Sequence, residues 1–328
     1  MMSRLSFAAT AAVLVLLFGS AALLYPGFFS ARVIANLFGD NAALGVAAIG
    51  LTFVILAGGI DLSVGAVLAF TSTFVATAIE HHGISPLAAV ALALAIGAAF
   101  GAGMGALIHR YELPPFLVTL AGMFFARGMA FVMSLESLGI AHPLYRRAAA
   151  FGLPLGGRAA LTAPALIFLA ALIVGAVLLH ATRFGRDVYA VGGHAPSARL
   201  LGVAVGRVKI AVHALAGACS ALAGVVATLR MGSGNPAQGT GFELDAIACV
   251  VIGGTLLSGG VGSLPGTLLG VLIFGTIQIA LVFDGRLNSW WSRIVIGALL
   301  LIFIVVQKLL SRAATRRARA TLKETEGE

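Results

Sequence analysis

Apolar residues run along this chain in blocks of roughly 17 to 25, the length at which a helix crosses a bilayer. Short polar punctuation separates them. Tyr25-Pro-Gly27, Ser85-Pro86, Leu113-Pro-Pro115 and Gly234-Asn-Pro236 are all helix breakers between runs. This pattern predicts an all-α polytopic membrane protein with about ten transmembrane helices, near residues 5–25, 40–57, 63–79, 86–108, 115–134, 161–180, 208–229, 244–258, 265–283 and 292–310. Composition agrees: 60% of residues are hydrophobic and 10% charged, against about 25% charged in soluble domains. The N-terminal run resembles a signal peptide. Tyr25-Pro26-Gly27 offers no small-x-small cleavage site, so an uncleaved first span is expected.

One break differs from the others. Leu56-Ala-Gly-Gly-Ile-Asp-Leu-Ser-Val-Gly65 lies between two apolar runs and carries a single charge, Asp61. Gly58 and Gly59 can end a helix in left-handed backbone, and Asp61 or Ser63 can cap the next one. Non-helical backbone at membrane depth is tolerated only where protein or water satisfies it, as beside a transport path. Two roles are therefore open to Asp61, pathway lining or an ordinary cap. Ala246–Gly262 (AIACVVIGGTLLSGGVG) echoes Ala47–Gly65 (AAIGLTFVILAGGIDLSVG). Paired glycine-interrupted segments in two halves point to a transport path.

Charge sets the expected orientation. With the N-terminus inside, thirteen basic residues fall on the cytoplasmic side and seven on the other, with Arg127 inside a span. The positive-inside rule then places both termini in the cytoplasm. Residues 1–310 form the permease domain on this reading, and 311–328 a basic, then acidic, tail that grips headgroups. The net charge of +9 gathers beside the membrane and argues for lipid contact rather than nucleic acid. The 27 residues from Ala181 to Arg207 form the largest cytoplasmic loop. There Gly192-Gly193 permits a turn, Pro196 suits a first helical turn and Gly202 a stop, predicting a short surface helix that carries Leu200 and Leu201. This helix reads as a docking knob for a cytoplasmic partner or as an amphipathic segment on headgroups.

Catalytic chemistry is missing. The three lysines, Lys209, Lys308 and Lys323, follow no Walker A glycine run, and neither a Gly-x-Ser-x-Gly elbow nor a His-Glu-x-x-His helix occurs. Cys219 and Cys249 lie in apolar runs and make a disulfide framework or metal cluster unexpected; no cofactor is expected. A path that is poor in charge but carries Asn41, Thr52, Ser63, Thr71, Thr119, Thr255 and Ser258 suits a neutral polyol. Each Ser or Thr can instead bond back to its own helix. Phe53, Phe70 and Phe116 can stack on a sugar or face lipid and neighbouring helices.

At Gly50–Gly65 (GLTFVILAGGIDLSVG), Leu120–Gly128 (LAGMFFARG), Thr182–Gly193 (TRFGRDVYAVGG) and Glu243–Gly262 (ELDAIACVVIGGTLLSGGVG), the chain resembles the ribose-type permeases of bacterial ABC sugar importers. Thr119–Gly128, Glu243–Gly262 and Ser289–Gly297 (SWWSRIVIG) look closest to a galactofuranose importer permease. The resemblance implies a type II-like importer permease with an inverted repeat in the bacterial inner membrane. It also implies three partners: a second permease subunit, identical or paralogous; a periplasmic sugar-binding protein; and a cytoplasmic ATPase with two fused nucleotide-binding domains. It makes 181–207 the coupling loop, with Arg183, Gly185, Arg186, Tyr189, Gly192, Gly193, Ala198 and Gly202 on the family pattern. His194 departs from it, standing where the family usually has Asn; both can cap a turn. The gate would comprise Asp61, Ser63, Thr255 and Ser258 with Asn41, Thr52, Phe53, Phe116 and Thr119 along the path. The alternative is a stand-alone secondary sugar transporter or facilitator.

Overall fold

The computed structural model describes residues 2–157, 159–285, 290, 291, 293–303 and 305; the tail 311–328 lies outside them. At its centre is a helix with almost no polar residue, α3 (Ala42–Leu56), every residue of which except Ala43 is buried. A helix apolar all round belongs in the core. The others pack around it: α1 (Met2–Leu24), α2 (Ala31–Asp40), α4 (Val64–Glu80), α5 (Pro86–Arg110), α6 (Pro115–Met133), α7 (Pro143–Ala150), α8 (Ala163–Ala181), α9 (Arg183–Leu200), α10 (Val205–Met231), α11 (Phe242–Ile252) and α12 (Leu264–Asp284). A last apolar helix, α13, covers Arg293–Phe303.

Length and composition support part of the ten-span expectation. Among the described residues, six helices (α1, α5, α6, α8, α10 and α12) are long and apolar enough to cross a membrane, or seven if α2 and α3, bent by 54° at Asn41, count as one span. Two further expected spans are helices shorter than that, α4 and above all α11, and the last, 292–310, lies partly outside the described residues. The eighth predicted span, 244–258, loses its last turn because Gly253-Gly254 ends the helix at Ile252. At 1.5 Å per residue, 11 residues reach roughly 16 Å, about half the hydrocarbon thickness. The all-α expectation also misses two small antiparallel ribbons. One pairs β1 (Leu138–Gly139) with β4 (Ser233–Gly234); the other pairs β2 (Gly152–Gly156) with β3 (Ala159–Thr162). Both lie with α7 at the end of the bundle opposite α9, where Glu80 accepts the backbone N–H groups of Ala141 (2.8 Å) and His142 (3.1 Å). Burial pushes the pKa of the Tyr145 hydroxyl of α7 up to about 12, opposed by its hydrogen bond with Thr228.

Small residues hold the bundle together, since lipid supplies no hydrophobic drive between helices. The tightest seam joins α5 to α10. Gly97 and Gly101 press on Gly217 and on the backbone of His213 and Ala214, leaving no room for a β-carbon. Close approach here recruits dispersion contacts along both helices. Gly101→Ala is expected to cost about 1–3 kcal/mol, as overpacking does, and to lower the melting temperature in detergent; an unchanged transition would contradict the seam.

Candidate functional site

The two sequence echoes turn out to be structural counterparts. Helix α3 ends in a Schellman motif, with Gly58 N–H donating to Ile55 O (2.9 Å) and Gly59 N–H to Val54 O (2.9 Å). Helix α11 ends in the same motif, with Gly254 N–H donating to Val251 O (2.9 Å) and Thr255 N–H to Val250 O (3.2 Å). Gly58 and Gly254 hold the left-handed positions at φ 80° and 92°. The matching register is thus Gly58 with Gly254 and Gly59 with Thr255, one residue off the register that the paired glycines suggest. Each break leads into a second helix, α4 or α12, and both breaks reach the same end of the bundle.

Broken helices leave carbonyls without intrahelical donors, and here the donors come from four different elements. Gly260 N–H of the second break donates to Leu56 O of the first at 2.9 Å. Thr119 of α6 reaches Ile60 O at 3.2 Å, in competition with its own helix at Pro115 O, 2.9 Å. The Tyr189 hydroxyl of α9 donates to Gly262 O at 2.8 Å; burial raises its proton affinity, which keeps it a donor. Thr10 of α1 donates to Ile252 O at 2.8 Å. One turn back, Thr52 and Thr267 join α3 to α12 through their hydroxyls at 2.8 Å, while Thr52 also bonds Ala48 O at 2.7 Å.

Asp61 takes neither form of the expected cap. Ser63 stands at the N-cap of α4 without a capping bond, and Asp61 Oδ1 accepts instead from Ser63 N–H (2.8 Å) and Ser63 Oγ (2.6 Å). The side chain is fully buried, and Oδ2 has no hydrogen-bond partner among the described residues. Thr255 Oγ1 is in the same state. Two buried polar atoms without partners, one in each break, mark these loops as something other than a settled core.

Helix α9 runs further than the sequence implies. It starts at Arg183, capped by Thr182, and passes through Gly192-Gly193 as helix; the kink falls at His194 (φ −161°, ψ 97°). The expected turn at Gly192-Gly193 is therefore corrected: both are helical, and Gly192 serves close approach while Gly193 has open space beside it. A β-carbon on Gly192 would overlap Leu56 O and stand 2.7 Å from Gly260 N. One on Gly259 would come 2.9 Å from both Gly192 O and Gly58 N, and one on Gly260 2.8 Å from Gly193 Cα. Gly185 sits equally tightly on the last turn of α8 at Leu179. Backbone of α9 thus touches both breaks, and Phe184 of α9 stacks on Phe53 at 6.0 Å. The outer face presents Arg183, Arg186, His194, Arg199, Leu200, Leu201 and Gly202, while Ala198 is buried.

The sequence-derived residues therefore divide. Asp61, Ser63, Thr119, Thr255 and Ser258 gather at the breaks, beside Tyr189, Gly192 and Gly193. Thr52 and Phe53 lie just behind them, fully buried, so Phe53 has a phenylalanine rather than open space for its ring. Asn41 is elsewhere, at the α2–α3 bend, where its Nδ2 donates to Leu37 O (2.9 Å) and packs against Gly275. Phe116 is half exposed on the first turn of α6. Thr10 was missed because nothing in its sequence distinguishes it from other hydroxyls in apolar runs. Arg127 was noticed, but its partners were not: it donates Nη1 to Pro236 O (2.7 Å) and to Gln238 O.

Helices broken at paired glycines, polar breaks inside an apolar bundle and a helical loop seated on both suit a membrane permease. The comparisons place it further. A family described as the permease component of the branched-chain amino acid transport system matches residues 33–304. The inner membrane ABC transporter permease protein YjfF of Escherichia coli (strain K12) is 52% identical over 289 residues, covering 88% of this chain and 87% of that one. The ribose import permease protein RbsC of Bacillus subtilis (strain 168) is 41% identical over 289 residues, covering 87% and 88%. The fructose import permease protein FruG of Bifidobacterium longum (strain NCC 2705) is 36% identical over 312 residues, covering 90% and 88%. No solved structure matches the chain. The chain belongs to this permease family, among its ribose-type ABC sugar permeases, and is a multi-pass protein of the inner membrane.

The His194 departure has a structural answer. Its Nδ1 meets Ser197 Oγ at 2.8 Å and accepts Ser197 N–H at 3.2 Å, so it caps the second segment of α9 as Asn would. His194→Asn is expected to leave thermal stability unchanged, whereas His194→Ala should cost about 1 kcal/mol. Equal effects of the two substitutions in thermal melts would refute the cap.

Proposed function

We propose that this chain is the translocating subunit of an ATP-driven importer for a monosaccharide. The sugar arrives from a periplasmic binding protein, and the chain works beside a second permease subunit. A separate cytoplasmic ATPase with fused nucleotide-binding domains energises it. The named relatives import ribose and fructose, and the motif resemblance makes galactofuranose the first sugar to test. On this reading the α9 end faces the cytoplasm, consistent with the excess of basic residues there.

The observation that carries the reading is the seating of Gly192 between Leu56 O and Gly260 N. The kinked helix α9, whose exposed side carries Arg183 and Arg186 before the kink and Arg199 and Leu200 after it, has its inner face against both broken loops. Motion imposed on α9 from outside then reaches Asp61 and Thr255 together. A partner docked on that face supplies the force, and the loops open or close the path. A stand-alone facilitator would have no use for so exposed a cationic and apolar knob: Leu200 is 88% and Leu201 83% exposed. The decisive experiment is reconstitution with ATPase and binding protein, followed by ATP-dependent uptake of a panel of furanose and pyranose sugars. Uptake by the permease alone would establish the facilitator instead.

Two substitutions on α9 should separate docking from transmission. Arg186→Glu is expected to lose ATPase association in pull-down while the protein still inserts. Gly192→Ala should keep that association but lower uptake by at least tenfold, because a methyl group would push α9 off both breaks. Retained association in the first, or full uptake in the second, would defeat the assignment. At the break itself, Asp61→Ala is expected to reduce uptake more than complex assembly. Equal loss of both would return Asp61 to a purely structural role.

A further inference from the structure

The segment after α10 is neither loop nor span. From β4 it descends along α4 in irregular backbone, with Gly234 against Ser72 and Ala76 and Asn235 N–H donating to Ser72 Oγ at 3.3 Å. It reaches Gly65 before α11 begins. There a β-carbon would overlap Gly239 O and come 2.5 Å from Glu243 Oε2. Gly65, the last residue of the first sequence motif, is therefore a seat for this segment and for the carboxylate of Glu243.

From the other side the segment is held by Arg127, whose Nη1 bridges Pro236 O and Gln238 O. Arg127 is twelve residues into the 19-residue α6, roughly 18 Å along it, about two thirds of the way to its C-terminal end. Glu243 lies near enough to act on Arg127 electrostatically, yet Arg230–Asp40 is the one ion pair within 4.0 Å among the described residues. The Nε and Nη2 of Arg127 and the Glu243 carboxylate have no hydrogen bond to a described residue. Both residues are half-buried, beside exposed Thr240. A guanidinium and a carboxylate within a span are costly against acyl chains and as a rule turn to protein or water.

We propose that Arg127 and Glu243, with the Gln238–Thr240 backbone carried on Gly65, form a transient binding site for a neutral polyhydroxylated solute partway along the path. The inference rests on the importer reading and adds a place and a chemistry to it. A guanidinium offers paired donors and a carboxylate paired acceptors, which together match vicinal hydroxyls. Their charges cancel, so the site favours a neutral sugar over an anionic one. Because they do not close on each other, their hydrogen-bonding capacity is left to the solute.

The test uses the full complex of permease, ATPase and sugar-loaded binding protein in vesicles, with radiolabelled ribose and galactose as probes. Glu243→Gln and Arg127→Lys are measured for uptake and for ATP hydrolysis at saturating loaded binding protein. Uptake is expected to fall about tenfold while hydrolysis stays within twofold of wild type, so that ATP consumed per sugar carried rises about tenfold. If uptake and hydrolysis fall together with a lowered melting temperature, Arg127 and Glu243 only brace the fold and the site is refuted. Unchanged uptake refutes it too. A wild-type complex that moves no sugar of the furanose and pyranose panel would overturn the importer reading itself, and this site with it.

Discussion

Everything at the working end of this protein follows from one requirement: buried backbone that leaves the helix must find its hydrogen bonds in protein. The two breaks meet it jointly. Leu56 O receives an N–H from the opposite break, and Ile60, Ile252 and Gly262 receive hydroxyls from α6, α1 and α9. An orphaned carbonyl at this depth costs several kcal/mol, so neither break is stable without its companions. The loops are consequently coupled by bonding, not merely by proximity. What remains unpaired, Asp61 Oδ2 and Thr255 Oγ1, is the side-chain capacity that a changed arrangement could employ.

Close approach is the second requirement, and glycine meets it where it counts. At Gly192 the benefit is steric rather than conformational: the residue is helical, and the absent β-carbon lets α9 rest on two stretches of backbone at once. At Gly58 and Gly254 the benefit is conformational, since both hold left-handed dihedral angles. Fixing the same dipeptide type for two different reasons explains why Gly192-Gly193 reads as a turn and is not one.

Much of the bundle was legible because apolar length is a strong signal. Helices α5, α6, α8, α10 and α12 start and end within a few residues of the predicted spans. The failures share a cause. At the short α11, hydropathy averages over the break and reports one run to residue 258, and the short α2 before Asn41 falls below the length that hydropathy detects. The β2–β3 ribbon was invisible because its residues are small and apolar and sit in a stretch that reads only as a loop. At the site, Asp61 and the glycine pairs stood out as polar or flexible residues in apolar surroundings. Thr10 and the Gly65 seat did not, because their importance lies in what a distant segment brings to them.

The bond from Thr10 to Ile252 spans 242 residues of sequence, and helix α1 also packs along α12. During synthesis at about 5–20 residues per second, α1 would wait roughly 10–50 s in the bilayer before its partner emerges from the ribosome. The amino-terminal helix is thus a latecomer to its own fold, docking as a clasp after the interior is assembled. A nascent chain arrested before α11 would keep α1 laterally free, open to capture by quality-control machinery.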